Sequence, residues 1–231
     1  VTTDRTPLRP GTLNVNGVRT KQTDLWHLLR SERLDVLALQ ETLLKATDWD
    51  LHVPDFLCLS ALDTTAASER GVSLLVSTKF GCQAVGPGSP HWVFGKLTGS
   101  TLASPLIVGS VYLPHNDQRQ RVRTQLCTAL VKIHTEFPNC AILLMGDLNK
   151  TLVGAQRLAS NWPGTFEILK NAGDVPTVQR ASGRTVDHIC LFDNGLLPAG
   201  ERMPPPVVLG DWDISDHDPA YPLYTSNAAD A

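Results

Sequence analysis

The chain has no long apolar run, no strong excess of charge of one sign and no metal-type cysteine spacing. No apolar stretch reaches the ~18–20 residues that a membrane-spanning helix needs, so we expect no membrane segment. Residues 1–11 lack the apolar core of a signal peptide. The five cysteines are odd in number and widely spaced, which favours buried thiols in a reducing compartment over zinc or disulfides.

The small net charge narrows the possible functions. A net charge of −3 at pH 7 argues against a protein that binds nucleic acid through an overall positive charge. A nuclease remains possible, because acidic metal ligands lower the total charge while local arginines follow a phosphate backbone. Binding of that kind weakens steeply as the salt concentration rises.

No internal repeat, low-complexity tract or linker divides the sequence. A length of 231 residues with 42% hydrophobic content is enough for one compact domain with a sizeable core. Strand-like and helix-like segments alternate, which predicts one α+β domain over residues 1–231, with packed sheets and flanking helices. The first strand begins near residue 12 and the chain ends in Ser-Asn-Ala-Ala-Asp-Ala, which we interpret as a domain cut from a longer polyprotein.

Hydrophobic periodicity predicts where the main elements lie. Short apolar runs predict buried strands, and apolar side chains at helical spacing predict helices, with Thr23 as the N-cap of the first one. The predicted strands cover 12–15, 36–39, 72–76, 106–112, 141–145, 186–192 and 220–224. The predicted helices cover 23–33, 118–137 and a short segment that includes 166–169.

Polar clusters follow or end several of these apolar runs. Strand ends that converge on one edge of a sheet bring distant residues together. The clusters would then assemble amides, carboxylates and imidazoles, a set that suits metal-assisted hydrolysis of a phosphate ester. They are Asn14-Val15-Asn16-Gly17, Gln40-Glu41-Thr42, Gly146-Asp147-Leu148-Asn149, Val186-Asp187-His188 and Ser215-Asp216-His217.

Glu41 is the expected principal ligand of a metal ion. It ends a buried run, and Mg²⁺ prefers oxygen ligands, usually one or two carboxylates together with waters and substrate phosphate. Mn²⁺ is the alternative ion. Asn14 and Asn16 can add amide oxygens or hold a metal-bound water, and Asp216 can face the metal or the water. Taken alone, Glu41 would be interpreted as a solvated strand end.

Asp147 is the expected group that orients and deprotonates the attacking water. The preceding Gly146 allows a tight turn or a close approach of substrate. If the backbone stays extended, Asn149 points to the same side, where it can bind a phosphate oxygen and hold Asp147. The alternative is an Asx-turn at a strand end. A Gly-Asp-x-Asn segment directly after an apolar strand favours the catalytic interpretation.

Asp187 and His217 form the expected carboxylate–imidazole pair. An aspartate beside an imidazole favours the charged ring and selects its tautomer. A charged His217 can stabilise the negative charge of a pentavalent phosphate. A core histidine with one hydrogen bond is the alternative for His217 alone. His188 alternates with Asp187 along its strand, so we expect it to face the other side as a structural residue.

Tyr112 closes a Val-rich strand and is followed by Pro114. Its hydroxyl is expected to contact the phosphate or to assist the leaving oxygen, and packing of a strand-end aromatic ring on the surface is the alternative. His115 and Asn116 come next and are candidates for a phosphate contact.

Together these residues resemble the endonuclease/exonuclease/phosphatase family from Leu13 to Ala220. Within it they are most similar to the branch of apurinic endonucleases and LINE-type retrotransposon endonucleases. The resemblance implies a DNase I-like four-layer α/β sandwich, with two mostly antiparallel sheets packed face to face and helices outside. It also implies a Mg²⁺-dependent phosphodiesterase with the roles assigned above and with Ser215 in contact with substrate. The family pattern has Asn directly after the proline of Tyr-x-Pro, so either His115 or Asn116 takes that contact.

The finer features favour the retrotransposon group. Asn16 stands where abasic-site repair enzymes often carry Asp, and the segment from Lys150 to Asn171 has nothing like their NAGFTPQER-type sequence. We therefore expect a nuclear endonuclease, tethered to a reverse transcriptase, that nicks one strand of double-stranded DNA and leaves a 3′-hydroxyl for priming. The alternatives are an apurinic/apyrimidinic repair endonuclease or 3′-exonuclease, a catalytically inactive nucleic-acid-binding homologue and a small-molecule phosphatase.

Two basic segments are candidates for contact with DNA. Arg119, Arg121 and Arg123 recur with period two, so in a helix they fan out and only one or two reach DNA. The segment 179–185 has the form of a tight hairpin that carries Arg184. In the group that the sequence resembles, a hairpin at this place enters the DNA groove. Here it is short, so we expect recognition through shape and phosphate contacts.

Overall fold

Two six-stranded sheets pack against each other at the centre of the protein. The computed structural model describes residues 8–45, 48, 51–62, 71–99, 102, 104–115, 117–179, 183–193, 203–210, 212 and 214–222. The strands are β1 Pro10–Asn14, β2 Val36–Gln40, β3 Phe56–Ala61, β4 Val72–Ser77, β5 Gly81–Ser89, β6 Trp92–Thr98, β7 Leu106–Tyr112, β8 Ala141–Asp147, β9 Phe166–Leu169, β10 Asp187–Phe192, β11 Pro206–Val208 and β12 Ala220–Pro222. The helices are α1 Gln22–Ser31, α2 Arg119–Glu136 and α3 Leu152–Ala159, with a 3₁₀ turn at Ala172–Asp174.

The strand order is β11-β12-β1-β2-β4-β3 in the first sheet and β5-β6-β7-β8-β10-β9 in the second. Each sheet has one parallel pair, β1 with β2 and β7 with β8. The remaining pairs are antiparallel. The prediction of two mostly antiparallel sheets in an α+β domain is therefore confirmed.

Three apolar clusters stack through the molecule and define its layers. The middle cluster lies between the sheets, where Val36 and Leu74 of the first sheet meet Val108 and Leu143 of the second. The second cluster holds α2 and α3 against the outer face of the second sheet, and the third holds α1 against the outer face of the first. Alternate side chains of one strand point to opposite faces, so strands covered on both sides are apolar throughout.

The helix predicted at 118–137 is confirmed as α2, whose apolar stripe is buried on the second sheet. The N-cap predicted at Thr23 is wrong, because Lys21 occupies that position and caps with no side-chain hydrogen bond. The short helix predicted around 166–169 is also wrong: these residues form β9, which pairs with β10. Four apolar-rich residues are too few for periodicity to separate helix from strand.

Several elements have no clear signal in the sequence. Strands β3 and β5 are only partly buried, and β5 contains glycines and a proline that weaken the strand pattern. The prediction for 220–224 is confirmed as far as Pro222, while residues 223 and 224 lie outside the described residues. No helix among the described residues is long and apolar enough to cross a membrane.

Candidate active site

The ends of four central strands bring the predicted acidic cluster together. The β1–β2 pairing sets Asn14 opposite Gln40, directly before Glu41. The antiparallel β8–β10 pairing sets Asp147 opposite Asp187. Because both parallel pairs end at the same edge of the sandwich, residues more than a hundred positions apart in sequence become neighbours.

Asn14 connects the carboxylates of the two sheets. Its side chain is almost fully buried, and Nδ2 lies 2.7 Å from Oε1 of Glu41 and 3.1 Å from Oδ2 of Asp147. Its Oδ1 accepts the backbone N–H of Asn16 at 3.2 Å. Asn14 therefore presents its nitrogen to the carboxylates, and its oxygen is used locally to hold the loop after β1.

Asp147 sits in a turn that glycine makes possible. Gly146 has φ 154°, and a Cβ atom there would lie 1.9 Å from the carbonyl oxygen of Val111. Oδ1 of Asp147 accepts the backbone N–H of Asn149 at 2.8 Å, so the Asx-turn forms. The extended backbone predicted for Asn149 is wrong, since its φ is 48°. Its Nδ2 donates to the carbonyl of Leu113 at 2.8 Å instead.

The environment of Asp147 disfavours its charged form. Burial raises the pKa of the Asp147 carboxyl, and the nearby charge of Asp187 raises it further. Charged His217 and the hydrogen bonds from Asn149 and Asn14 act in the opposite direction. A carboxyl with a raised pKa accepts a proton more readily, which suits a group that takes a proton from water.

Asp187 and His217 form the predicted pair. Nδ1 of His217 lies 2.8 Å from Oδ2 of Asp187, which is fully buried. Burial lowers the pKa of His217, but the hydrogen bond and charge of Asp187, with the charges of Asp147 and Asp216, outweigh it and raise this pKa to about 9. The ring therefore carries a positive charge at neutral pH, as the sequence predicted.

Replacing Asp187 with Asn should lower the pKa of His217. The substitution removes the hydrogen-bonded negative charge, while burial, which disfavours the charged ring, remains. We expect the pKa to fall from about 9 by at least ~2 units. NMR titration of the imidazole measures the pKa of His217 directly. The variant His52→Gln, at an exposed position, identifies the His52 signal so that it is not confused with that of His217. An unchanged titration would show that Asp187 does not set the charge of His217.

Thr177 is a site residue that the sequence analysis missed. It is fully buried, and its Oγ1 accepts the backbone N–H groups of Val186 at 3.2 Å and Asp187 at 3.3 Å. Its carbonyl accepts the N–H of Asp218 at 2.8 Å, next to His217. One residue thus holds both members of the Asp–His pair. A single threonine before a hairpin has no sequence pattern that indicates this role.

Replacing Thr177 with Val should weaken catalysis more than substrate binding. Valine keeps the shape but leaves two buried N–H groups without their acceptor, which costs about 1–3 kcal/mol of unfolding free energy. The loosened Asp187 then orients His217 less well, so kcat should fall while KM changes little. Urea unfolding and steady-state kinetics measure the two effects, with Thr135→Val on the exposed side of α2 as the control. A change in KM alone would contradict a positioning role.

The other predicted metal-side residues lie at the rim of the site. Nδ2 of Asn16 lies 3.5 Å from Oδ1 of Asp216, which also accepts the hydroxyl of Ser215 at 3.4 Å. Lys21 donates from Nζ to the carbonyl of Val15 at 2.7 Å and holds the same loop. The structure thus brings Asn16, Ser215 and Asp216 together beside the Asp187–His217 pair.

The segment that follows β7, here called the tyrosine loop (residues 112–115), borders the site on the side of the second sheet. Tyr112 is paired in register with Asp147 and is buried, with its ring stacked on His91 at 6.2 Å between centroids. His115 is exposed, and Asn116 lies outside the described residues. The guanidinium of Arg119 donates to the carbonyls of Pro114 and His115, so it holds the loop as well as carrying charge beside the site.

His188 and the hairpin agree with their predicted places. Nε2 of His188 lies 2.7 Å from the carbonyl of Lys150 on the other side of β10, a structural contact. The predicted hairpin is confirmed by the antiparallel bridge of Val178 with Arg184, while residues 180–182 lie outside the described residues. Val178 also bridges His217, so the hairpin base is joined to the segment that carries the imidazole.

The donor set fits a hard divalent cation. Among the described residues, ligand-type atoms of Asp147, Asp187 and His217 all lie within 4.8 Å of one another. The two aspartates supply the oxygen donors of this group, because a charged imidazole has no free lone pair for a metal. Oδ1 of Asp187 is buried without a hydrogen-bond partner, so its lone pairs are available. Glu41, joined to Asp147 through Asn14, adds a half-buried carboxylate. Carboxylate oxygens are the ligands that Mg²⁺ and Mn²⁺ prefer.

The chain belongs to the endonuclease/exonuclease/phosphatase family, whose sequence model matches residues 11–217. No curated protein matches it by sequence. The catalytic domain of Xenopus laevis APE2 has a TM-score of 0.74 at 16% identity, with 94% of this chain and 91% of that chain covered. The AP endonuclease LMAP from Leishmania major has a TM-score of 0.72 at 14% identity, with 94% and 88% covered.

A retrotransposon protein has the same architecture. The endonuclease domain of TRAS1, a telomere-specific non-LTR retrotransposon, has a TM-score of 0.68 at 14% identity, with 94% of this chain and 97% of that chain covered. At such identities the likeness concerns the fold, and it confirms the predicted DNase I-like four-layer sandwich. The family resemblance predicted from the motifs is confirmed as well.

Proposed function

We propose that the protein is a Mg²⁺-dependent endonuclease that nicks one strand of double-stranded DNA by hydrolysing a phosphodiester bond. One observation carries this proposal. A buried carboxylate with a raised pKa, Asp147, lies beside a histidine that Asp187 keeps charged. A base for water and a fixed positive charge for the phosphate thus stand together at one strand edge.

Each residue near this centre has a defined task in the proposal. Asp147 orients the water and accepts its proton, in a position held by the hydrogen bonds from Asn14 and Asn149. Charged His217 donates to a phosphate oxygen as negative charge develops there. Tyr112 contacts the phosphate or assists the leaving oxygen. It lies next to Asp147 on the β7 side, whereas Asp187 lies next to Asp147 on the β10 side.

Glu41 is the proposed main ligand of the metal, with Asn16 and Asp216 completing the site through oxygen atoms or held water. When bound, Mg²⁺ or Mn²⁺ would supply Lewis-acid stabilisation of the phosphate and of the departing oxygen. The remaining polar side chains at the rim are proposed to touch the substrate. They are His115, Asn116, Arg119, Arg184 and Ser215.

Positive charge on both sides of the acidic centre supports DNA as the substrate. On one side, Lys21 and Lys45 line a cleft together with Asn16 and with Arg19, which is ion-paired with Asp48. On the other side, Arg119 and Arg123 lie close enough to Lys150 for their charges to lower its pKa, although burial lowers it more. Local cations of this kind bind a phosphate backbone despite the small negative charge of the whole chain.

We infer further that the nick leaves a 3′-hydroxyl that primes reverse transcription during retrotransposition. This role would place the enzyme in the nucleus, tethered to a reverse transcriptase. Asn16 supports this branch of the family, and the retrotransposon endonuclease domain of similar fold agrees with it.

Supercoiled plasmid, incubated with and without Mg²⁺, tests the proposed reaction. We expect open-circle product only with the ion, and end-labelling should find a 3′-hydroxyl at the nick. Phosphate release from inositol phosphates without any nicking would instead support a small-molecule phosphatase.

An apurinic/apyrimidinic repair endonuclease or 3′-exonuclease is the second candidate, favoured by the similar fold of the AP endonuclease LMAP. Parallel rates on an intact duplex, a duplex with one abasic site and a duplex with a recessed 3′ end separate these activities. A strong preference for the abasic duplex would overturn the retrotransposon assignment while leaving the site chemistry in place.

A further inference from the structure

A cleft next to the candidate active site has walls that suit one strand of nucleic acid. It lies between the turn that joins β5 to β6 and the exposed face of α2, and its volume is about 560 Å³. Its lining residues all belong to the described part of the chain, and no acidic side chain is among them. An anion entering the cleft would therefore meet no negative side chain on its walls.

The helical wall is a polar stripe with a cation at each end. Arg121, Gln125, Thr128 and Lys132 recur at helical spacing, so they share one face of α2. Both cations are exposed, and neither forms an ion pair within the described part of the chain. At about 1.5 Å of rise per residue, they stand roughly 16 Å apart along the helix. Measured along the axis of a B-form duplex, where each nucleotide of a strand advances about 3.4 Å, that length spans about five nucleotides.

The opposite wall is a turn held rigid by its own hydrogen bonds. Nε1 of Trp92 donates to the carbonyl of Pro87 at 2.9 Å, and the backbone N–H of His91 donates to the hydroxyl of Ser89 at 3.2 Å. A wall that is already ordered adds no ordering cost when a ligand binds.

This turn is directly joined to the candidate active site. The ring of His91 stacks on the ring of Tyr112, with centroids 6.2 Å apart and planes 14° apart. The carbonyl of His91 also accepts the backbone N–H of Tyr112 at 2.8 Å. One wall of the cleft is therefore anchored to Tyr112, which lies opposite Asp147 in the β7–β8 pairing.

The three arginines at alternate positions near the start of α2 make different contacts. Arg119 donates to the loop carbonyls beside the site, Arg121 lines the cleft, and Arg123 lines a different groove towards Trp162 on the other side of α2. Only Arg121 therefore has the position to act with Lys132 on the same strand.

We propose that this cleft binds the sugar–phosphate backbone of the DNA strand that leaves the active site past Tyr112. Arg121 and Lys132 contact phosphates without reading bases, over about five nucleotides beyond the scissile bond. The inference rests on the proposed nuclease function and adds to it a defined path for one strand.

A double variant, Arg121→Gln with Lys132→Gln, tests the path. We expect KM for nicking a long duplex to rise on the order of tenfold while kcat stays within about twofold of the wild type. The slope of log kcat/KM against log salt should become shallower by about two, one for each lost phosphate contact. Arg157→Gln, which removes an exposed cation from α3, is the control and should change neither.

Duplexes with one labelled nick site and shortened flanks locate the contact. The difference in KM between variant and wild type should vanish once the flank on one side falls below about five nucleotides. An equal difference at every flank length, or an unchanged KM and salt slope, would overturn the proposal.

Anisotropy of the same labelled duplex in EDTA measures binding without cleavage. A wild type that binds through Arg121 and Lys132 but never nicks would refute the proposed function and leave the cleft assignment standing.

Discussion

Replacing Asp147 with Asn should lower the rate of plasmid nicking on the order of 10⁴-fold. An amide cannot take a proton from water, and Asp147 is the carboxylate whose burial and whose neighbour Asp187 raise its pKa. KM should change little, because the phosphate contact assigned to His217 remains. Nicking kinetics under single-turnover conditions measure the loss without interference from product release.

The same variant should still fold. Both oxygens of Asp147 accept hydrogen bonds, from Asn149 and from Asn14, and the Asn variant can satisfy only one of these donors. The mismatch costs about 1–3 kcal/mol, which leaves a folded domain that circular dichroism and urea unfolding can verify. Asp55→Asn is the matched control, because Asp55 is exposed and Asn tolerates its φ of 66°. A folded Asp147→Asn enzyme with more than about a tenth of the wild-type rate would remove Asp147 from the role of base.

The residues at strand ends could be predicted from the sequence, because a residue that follows an apolar strand lies at a sheet edge whatever the order of the strands. An apolar run followed by a carboxylate places that carboxylate at an edge, and both parallel pairs end at the same edge. Glu41 and Asp147 were located in this way, whereas Asp187 begins β10 and reaches the same edge because β10 runs antiparallel to β8. Their mutual distances follow from β-sheet register, which a single strand does not encode.

Local backbone geometry and long-range hydrogen bonds could not be predicted from the sequence pattern. The Gly-Asp-x-Asn segment is compatible with an extended strand or with an Asx-turn, and only contact with Leu113 selects the turn at Asn149. Thr177 gains its role from three segments that meet around its hydroxyl and backbone. The split of Arg119 from Arg121 depends on the carbonyls of the tyrosine loop, which draw one guanidinium away from the helix face.

The hydrogen-bond network explains why the site tolerates so much buried charge. Asp147 and Asp187 would repel each other in isolation, but charged His217 lies beside both, and Asn14 and Asn149 donate to Asp147. Each buried carboxylate thus has a positive or hydrogen-bonding neighbour. Among the described carboxylate oxygens of this centre, Oδ1 of Asp187 is buried without a hydrogen-bond partner. A cation or a donor group of the substrate placed there would stabilise the Asp187 carboxylate.

Replacing Glu41 with Gln should weaken the response to Mg²⁺ and lower kcat/KM on the order of 10³-fold at moderate metal concentration. Gln keeps the length of the side chain, and its carbonyl oxygen can still accept the Nδ2 of Asn14 as Glu41 does at 2.7 Å. The variant therefore loses one negative charge from the metal-side oxygens while the β1–β2 edge keeps its structure.

Metal concentration separates this effect from the loss of a base. The Mg²⁺ concentration that gives half of the maximal rate should rise by more than about tenfold in Glu41→Gln, and high Mg²⁺ should restore part of the activity. Asp147→Asn should gain nothing from added metal, because its missing proton acceptor is not a ligand deficit. Glu136→Gln, at the exposed end of α2, is the control for loss of a single carboxylate. Calorimetric titration with Mn²⁺ gives an independent readout: equal affinities for wild type and Glu41→Gln would move the metal away from Glu41 and towards the oxygens of Asp147 and Asp187.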